Sequence, residues 1–253
     1  MKTLLAIFAI LAGCYLMLDG TNDKGGIIGK PALEHSGTAL KPPINVVFFQ
    51  DVSGSIAQNG IELVSSSVFE PYFDDTARKI ELCFGVIAGD KGRKLISLSL
   101  LPQALSKPLI PDTKELSITE RRKLTAEYSE ESKAFLRERD GYFAKRKLSI
   151  YEFCRSVDSL IAIYKIRLSP ETDLETAVLI ADKAFNAAET GTRNCLILNS
   201  DGMDSKKRTI TRMNNKALVM LTNADGIAHT SIDSILSTTL ESPEKAILSS
   251  LRD

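Results

Sequence analysis

The chain has 253 residues, of which 43% are hydrophobic and 25% are charged. These values are ordinary for a globular protein, and the length allows one large domain or two small ones. Lys and Arg together number 32, as do Asp and Glu, so the formal net charge is zero. A protein that mainly holds nucleic acid usually carries a basic excess, so the charge balance argues against that class.

The chain begins with a short apolar segment typical of an export signal. Lys2 precedes an apolar run over residues 4–11, which is too short to span a bilayer comfortably but suits a signal-peptide core. The sequence LAGC, ending at Cys14, resembles a bacterial lipobox. This resemblance implies that residues 1–13 are removed and that Cys14 is lipidated. Because Tyr15–Leu18 stay apolar, an uncleaved anchor and a plain cleaved signal are the alternatives. All three predict a location in the bacterial cell envelope, periplasmic or surface-facing.

Residues 14–42 are predicted to form a flexible tether between the membrane and a domain at 43–253. From Asp19 onward this stretch is rich in Gly, Pro, Thr and Asn and has no sustained hydrophobic period. We expect His35, which lies within it, to be a solvated linker residue.

The domain at 43–253 alternates predicted strands with predicted helices. The first strand, INVVFF, is a nearly continuous apolar run, as in a strand that is covered on both faces. The sequence predicts further strands over 79–89, 93–102, 194–202 and 216–226. Helical spacing predicts helices over 59–73, ended or kinked by Pro71, and over 151–164, 173–189 and 244–251. The expected fold class is α/β, with a doubly wound, mostly parallel central sheet flanked by helices.

Residues 112–147 interrupt this alternation with a highly charged segment. About half of them carry charge, with both signs mixed, and Leu124, Tyr128, Phe135 and Tyr142 recur at one- and two-turn spacing. The pattern predicts an insertion of one or two exposed amphipathic helices. Two interpretations stand side by side: a solvated helix that covers the sheet, and an arm that binds a partner.

Oxygen-bearing side chains follow the first predicted strand. Asp51, Ser53 and Ser55 come directly after it, and Asp201 follows the strand over 194–202. In open α/β sheets, ligands bind beyond the carboxyl ends of the strands. If these two strands are neighbours, both acidic side chains face one crevice. Thr172 lies in a loop that opens a helix and is a further candidate for this site.

These residues resemble the metal-ion-dependent adhesion site of the von Willebrand factor type A family. Its pattern is Asp-x-Ser-x-Ser, then a distant Thr and a distant Asp, matched here by Asp51, Ser53, Ser55, Thr172 and Asp201. The resemblance covers roughly residues 43–251 and implies the family's Rossmann-like fold. It also implies capture of a protein partner, whose acidic residue completes the coordination of the metal.

The sequence departs from the family pattern at two places in the motif, and residues 112–147 have no counterpart in the family. Pro170 stands two residues before Thr172, where the family often has Gly, and it is expected to restrict this loop. Asn199 and Ser200 precede Asp201, where a hydrophobic residue and Thr are common. The alternative is a domain of this fold that binds no metal and uses these residues for turn hydrogen bonds.

The donor chemistry points to hard cations independently of the family. Hydroxyl and carboxylate oxygens suit Mg²⁺, Mn²⁺ or Ca²⁺ and do not suit soft metals. Two carboxylates balance one divalent charge. A position left open on the metal can then accept an acidic group from a partner.

Cys83, Cys154 and Cys195 show no CxxC spacing, so a thiolate metal cluster is not expected. We expect three buried cysteines that pack as small apolar side chains, with one disulfide as the alternative. The family's strand order would place the first strand between the strands of Cys83 and Cys195. Two strand spacings are roughly 9.6 Å, whereas a disulfide needs Cα atoms within about 7 Å, so these two should not pair.

An enzyme is not expected. The chain has only two histidines, His35 and His229, so few residues could serve as an imidazole acid or base in catalysis. It also has no G-x-S-x-G motif, which marks the nucleophilic serine of many hydrolases. His229 is expected to be a surface or loop residue.

Three functions follow from the sequence. The leading hypothesis is a membrane-tethered, exported module that binds a protein partner through a divalent metal, with no nucleic acid involved. The alternative is a structural or assembly factor of the cell envelope that acts through residues 112–147, with a non-essential metal site. A third is an accessory to a chelatase or ATPase complex, which the predicted export disfavours.

Overall fold

The computed structural model describes residues 35–36, 40–89, 95–103, 105–210, 212–222 and 230–252. The export signal, Cys14 and His229 lie outside these ranges, so the predictions for them stay predictions. Within these ranges, no helix is both long enough and apolar enough to cross a membrane.

The chain forms eight strands within the described residues. In chain order they are β1 (His35–Ser36), β2 (Ile44–Asp51), β3 (Ile80–Ile87), β4 (Ile96–Leu100), β5 (Lys107–Pro108), β6 (Arg193–Asn199), β7 (Leu218–Thr222) and β8 (Thr238–Leu240). Six of them form one sheet in the order β4-β3-β2-β6-β7-β8, in which only β4 runs antiparallel to its neighbour. The remaining two, β1 and β5, pair with each other in an antiparallel manner.

In the described ranges, five α-helices and one 3-10 helix accompany the sheet. They are α1 (Gly54–Gln58), the 3-10 helix (Ser66–Phe69), α2 (Glu70–Asp74), α3 (Ile118–Ile166), α4 (Leu174–Phe185) and α5 (Pro243–Ser250). The predicted α/β class is confirmed at this level: six mostly parallel strands with helices packed around them.

The central strand β2 shows why helices lie on both sides of the sheet. All eight of its residues are buried. Successive side chains of a strand point to opposite faces, so Ile44, Val46 and Phe48 enter one apolar cluster while Val47 and Phe49 enter another. The first cluster includes side chains of α3 and α5, and the second includes the apolar side of α4.

The strand order also separates two cysteines. β2 lies between β3 and β6, with Val47 opposite Cys83 and Val46 opposite Cys195. This pairing confirms the predicted order of these strands. Cys195 also packs into the first apolar cluster, whereas Cys83 packs against the second. Cys195 is buried, but Cys83 and Cys154 are only half-buried, and the expectation of three buried cysteines was wrong for these two.

The charged insertion is not a separate helix. α3 runs without a break for 49 residues and therefore joins the insertion predicted over 112–147 to the helix predicted over 151–164. At 1.5 Å per residue it is about 74 Å long. A capping box starts it, because Ser117 and Glu120 each bond the backbone N–H of the other. The sequence between the two predicted parts holds no proline, and Gly141 alone did not end the helix.

Two short segments differ from the prediction. The helix expected over 59–73 is reduced to the 3-10 helix and α2, and Pro71 lies in the first turn of α2, where a missing N–H costs nothing. His35–Ser36 was expected in a flexible tether but forms β1, paired with Lys107–Pro108. Lys41, at the end of that predicted tether, donates its N–H to the Ala77 carbonyl at 2.9 Å.

A buried arginine fastens α3 to the rest of the domain. Arg146 is 7% exposed, and its Nη2 donates to the carbonyls of Phe73 and Asp75, each at 2.9 Å. These carbonyls lie at the end of α2, where no intrahelical donor is available. Nη1 donates to the Leu101 carbonyl at 3.3 Å, which the Tyr142 hydroxyl also reaches at 2.9 Å. The Arg146 side chain therefore connects α3 to the end of α2 and to the residue after β4.

Replacing Arg146 by Ala is expected to lower the free energy of unfolding by ~2–4 kcal/mol, because buried carbonyls lose charged donors. Urea unfolding followed by circular dichroism measures the change. The matched control is Arg139→Ala on the same helix, whose ion pair with Asp140 is exposed and should matter by less than ~0.5 kcal/mol. Equal effects of the two substitutions would contradict the anchoring role of Arg146.

Candidate metal site

The carboxyl ends of β2 and β6 lie side by side. The two strands are parallel, and Gln50 is opposite Asn199. Asp51 is the last residue of β2, and Ser200 and Asp201 follow β6 directly. The structure therefore brings the first and last predicted ligands to one edge of the sheet.

The Asp51 carboxylate is fully buried and accepts two hydrogen bonds. Its Oδ1 accepts from the Ser53 N–H at 2.9 Å, and its Oδ2 accepts from the Ser200 hydroxyl at 2.7 Å. Burial raises the pKa of Asp51 to about 6; the bonds from Ser200 and Ser53 oppose the rise, and the nearby charge of Asp201 adds to it. Without a cation, ionisation of this group is therefore less favourable in the folded protein than in the unfolded chain.

The two serines of the opening motif lie together at the start of α1. Ser53 is the N-cap residue of that helix, and its hydroxyl is 3.0 Å from the Ser55 hydroxyl. Ser53 is 3% exposed, whereas Ser55 is half-buried. The Ser55 hydroxyl is thus on the more open side of the group.

Asp201 is also buried, at 2% exposure, and its two oxygens are held separately. Oδ1 accepts from the Met203 N–H at 3.0 Å, as in a short Asx turn. Oδ2 accepts from the Asn59 side-chain amide at 3.0 Å. Asn59 is the C-cap residue of α1, so this bond connects the segment that begins at Ser53 with the loop after β6.

Thr172 reaches this edge through its own loop. Ser169 forms a short parallel bridge with Ser53, just after β2. The Ser169 N–H donates to the Val52 carbonyl at 2.7 Å, and the Ser169 carbonyl accepts from the Gly54 N–H at 3.0 Å. Pro170 follows on the exposed side, and Thr172 is 3% exposed. In the described part of the chain, no hydrogen bond joins the Thr172 hydroxyl to the other four predicted ligands. The structure thus groups those four and places the Thr172 loop beside them.

A buried polar layer lies directly beneath the site. The Asn199 amide donates to the Gln50 side-chain oxygen at 2.7 Å, and the Thr222 hydroxyl donates to the Asn199 oxygen at 2.8 Å. All three residues are fully buried and lie opposite one another at the carboxyl ends of neighbouring strands: Asn199 and Thr222 are the last residues of β6 and β7, and Gln50 is the last but one of β2. Gln50 also donates to the Asp51 carbonyl at 2.7 Å. Asn199, which departs from the family pattern, therefore has a structural role here.

Sequence reasoning missed Ser200 and Asn59 as parts of the site. A signal existed for Ser200, because a hydroxyl beside an acidic residue at a strand end is a ready donor. Asn59 gave no comparable signal, since it is 142 residues from Asp201 in the chain.

The donor set fits a hard divalent ion. Within the described ranges, neither Asp51 nor Asp201 forms an ion pair with Lys or Arg, although both carboxylates are buried and interact. No group of three or more His, Cys, Asp or Glu side chains suited to a metal is found among the described residues. The predicted set has only two carboxylates and would otherwise rely on hydroxyls, which suit Mg²⁺.

Comparisons with known proteins give distant likenesses only. No protein-family model and no curated protein matches the chain. It is similar to the pilus adhesin SpaC from Lactobacillus rhamnosus GG in its open conformation, with a TM-score of 0.38 and 10% identity over 83% of this chain and 29% of that chain. It is also similar to the human COPII-coat protein Sec24c, with a TM-score of 0.33 and 10% identity over 84% of this chain and 28% of that chain. The chain spans less than a third of either protein, and at these TM-scores neither a family nor a function follows.

Asp51→Asn is expected to stabilise the protein at pH 7.5 in EDTA by about 1–3 kcal/mol, since an amide avoids the cost of a buried charge. The pKa of Asp51 is raised from 3.8 to about 6, so the folded protein holds this proton more tightly than the unfolded chain. Its contribution is therefore most favourable below pH 3.8 and is lost as the pH rises through 6. Urea unfolding at pH 4 and 7.5 measures the difference.

The control for this prediction is Asp140→Asn, which changes an exposed carboxylate on α3. It should change stability little and similarly at both pH values. A destabilised Asp51→Asn protein at pH 7.5, or an effect that is the same at both pH values, would contradict the prediction.

Proposed function

We propose that the chain is a von Willebrand A-like module with a doubly wound sheet, which binds a protein partner through a divalent metal. The ligands are Asp51, Ser53, Ser55, Thr172 and Asp201. The observation that carries the proposal is the pair of interacting, buried carboxylates for which the described residues supply no Lys or Arg partner. A protein tolerates such a pair when something else provides the positive charge.

The ion in this proposal is Mg²⁺, or Mn²⁺ or Ca²⁺ in its place. It would neutralise the two carboxylates and accept an acidic side chain of the partner. The half-buried Ser55 marks the side from which a partner would approach. The activity is binding and not catalysis.

We also propose that this module is anchored in the bacterial cell envelope as a lipoprotein. Its support is the LAGC sequence ending at Cys14, after a basic residue and a short apolar run. Metabolic labelling with a fatty-acid analogue tests this in cells: Cys14→Ser should abolish incorporation, while Cys154→Ser should not. Labelling that survives Cys14→Ser would contradict lipidation at this residue.

Titration of Mn²⁺ into the protein, followed by calorimetry, tests the metal site. The wild-type protein is expected to bind one ion, and Asp51→Ala should weaken binding at least tenfold, because half of the negative charge is lost. The control is Asp140→Ala, which changes an exposed residue of α3 and should bind Mn²⁺ as the wild-type protein does. If the Asp51→Ala protein binds Mn²⁺ as tightly as the wild type, or if the wild type binds none, the proposed metal site is wrong.

A second function has its own observation. Between residues 118 and 145, α3 is mostly exposed and carries charges of both signs, and it exposes Leu136 and Phe143. We propose as the alternative an envelope assembly factor that uses this arm as its main contact. Reversing the exposed charges of residues 121–123 to Glu, with the fold intact, discriminates the two. If chelator abolishes partner capture and the reversal does not, the metal-dependent function stands; the reverse outcome favours the arm.

A further inference from the structure

The backbone of Thr172 is held by a single residue of the loop after β6. The Thr172 N–H donates to the Ser205 hydroxyl at 2.7 Å, and the Ser205 N–H donates to the Thr172 carbonyl at 3.0 Å. Both polar backbone groups of Thr172 are therefore bound to Ser205. Ser205 itself is exposed, so its position must be fixed by its neighbours in the chain.

Arg208 connects the residues on either side of this pair. Its Nε donates to Asp204 Oδ2 at 2.7 Å, and its Nη2 donates to Asp204 Oδ1 at 3.1 Å and to Asp173 Oδ1 at 2.7 Å. Asp204 directly precedes Ser205, and Asp173 directly follows Thr172. One guanidinium therefore cross-links the two chain segments immediately beside the Ser205–Thr172 pair.

The two carboxylates involved are placed for this role. The Asp204 side chain is fully buried and that of Asp173 is 8% exposed, whereas Arg208 is 30% exposed. Asp173 also accepts the Thr176 N–H at 3.0 Å and is the N-cap residue of α4. The bonds of Arg208 thus join the loop after β6 to the start of α4. A guanidinium bonds two carboxylates in a fixed plane, which an ammonium cannot do.

We propose that Arg208 is a positioning residue for the candidate metal site. It holds Asp204 and Asp173, these fix the Ser205–Thr172 pair, and the pair sets where the Thr172 hydroxyl lies. The inference rests on the proposed metal site and adds to it a residue that is not itself a ligand.

The test is a double-substitution cycle with Mn²⁺ as the probe, on the full chain. Arg208→Lys keeps the positive charge but loses the planar guanidinium that bonds both Asp204 and Asp173. It is expected to weaken Mn²⁺ binding roughly tenfold, as loss of an orienting partner does. Thr172→Ala is expected to weaken it by a similar factor. The double variant should bind no more weakly than Thr172→Ala, because Arg208 acts through Thr172. Effects that multiply in the double variant would overturn the proposal.

Two further variants separate positioning from stability. Lys206→Ala removes another cation near Asp173, at 3.7 Å, and should change Mn²⁺ affinity less than twofold. Ser205→Ala changes an exposed residue, should leave folding intact, and is expected to match Arg208→Lys in affinity and in non-additivity with Thr172→Ala. If Arg208→Lys and Ser205→Ala lower only the stability in urea and leave Mn²⁺ affinity unchanged, Arg208 is merely structural.

Hydrogen exchange of the Thr172 amide, measured in EDTA, shows how firmly the Thr172 N–H is bonded to Ser205 when no metal is present. Arg208→Lys is expected to speed this exchange several-fold, while Lys206→Ala should not, because only Arg208 bridges both carboxylates. Unchanged exchange would overturn the positioning role. If the wild-type protein binds no Mn²⁺, the proposed metal site fails and takes this proposal with it; faster exchange in Arg208→Lys would then leave only a structural cross-link.

Discussion

The buried carboxylate of Asp51 is the constraint on which the candidate site depends. It stands at the end of a strand whose eight residues are all buried, so its charge is removed from water by the packing of the sheet. Two hydrogen bonds hold it in place, from the Ser53 N–H and the Ser200 hydroxyl. Because Asp201 follows the neighbouring parallel strand, a second negative charge is brought to the same edge.

Three buried carboxylates outside the candidate site have surroundings that favour the ionised form. Burial alone would raise the pKa of Asp173 and Asp182, yet both are lowered, since backbone bonds and the side chains of Arg208 and Asn215 respectively favour the ionised form. Asp204 is paired with Arg208 at 2.7 Å. For Asp51 the balance runs the other way, and its pKa rises to about 6. Asp51 therefore differs from these three carboxylates, because nothing around it compensates fully for its burial.

The long helix α3 has a buried C-terminal part and an exposed N-terminal part. Its C-terminal part carries Phe153, Val157 and Ile161 into the core, while its N-terminal part is held by few contacts, of which Arg146 is the most buried. One continuous helix can therefore serve both as a layer of the fold and as an exposed arm. The candidate metal site and the exposed part of α3 belong to different elements, so the two proposed functions can be separated experimentally.

The sheet was largely predictable because its strands are short apolar runs bounded by turn residues. The meeting of Asp51 and Asp201 at one edge of the sheet was predictable, because each lies at or just beyond the end of such a run. Asn59, Ser205 and Arg208 were not predictable, because their partners are distant in sequence and only the folded chain brings them together. The continuity of α3 was missed because its exposed part and its buried part were predicted as separate helices, and the sequence alone did not show that residues 148–150 join them.

The sheet and the hydrogen-bond networks at its edge depend on different features of the sequence. Burial of apolar side chains depends on local periodicity, which one sequence displays. A hydrogen-bond network such as Gln50–Asn199–Thr222 depends on the register between three strands, which the sequence does not specify by itself. Asn199 and Ser200 looked like departures from a family pattern, yet each donates a bond to β2.

The most direct test of the central claim is anomalous diffraction from a crystal grown with Mn²⁺. The account predicts one strong peak at the edge of the sheet, within bonding distance of Ser53 and Ser55 and bonded to Asp51 and Asp201 directly or through water. A well-ordered edge with no peak, or a peak elsewhere on the domain, would contradict it.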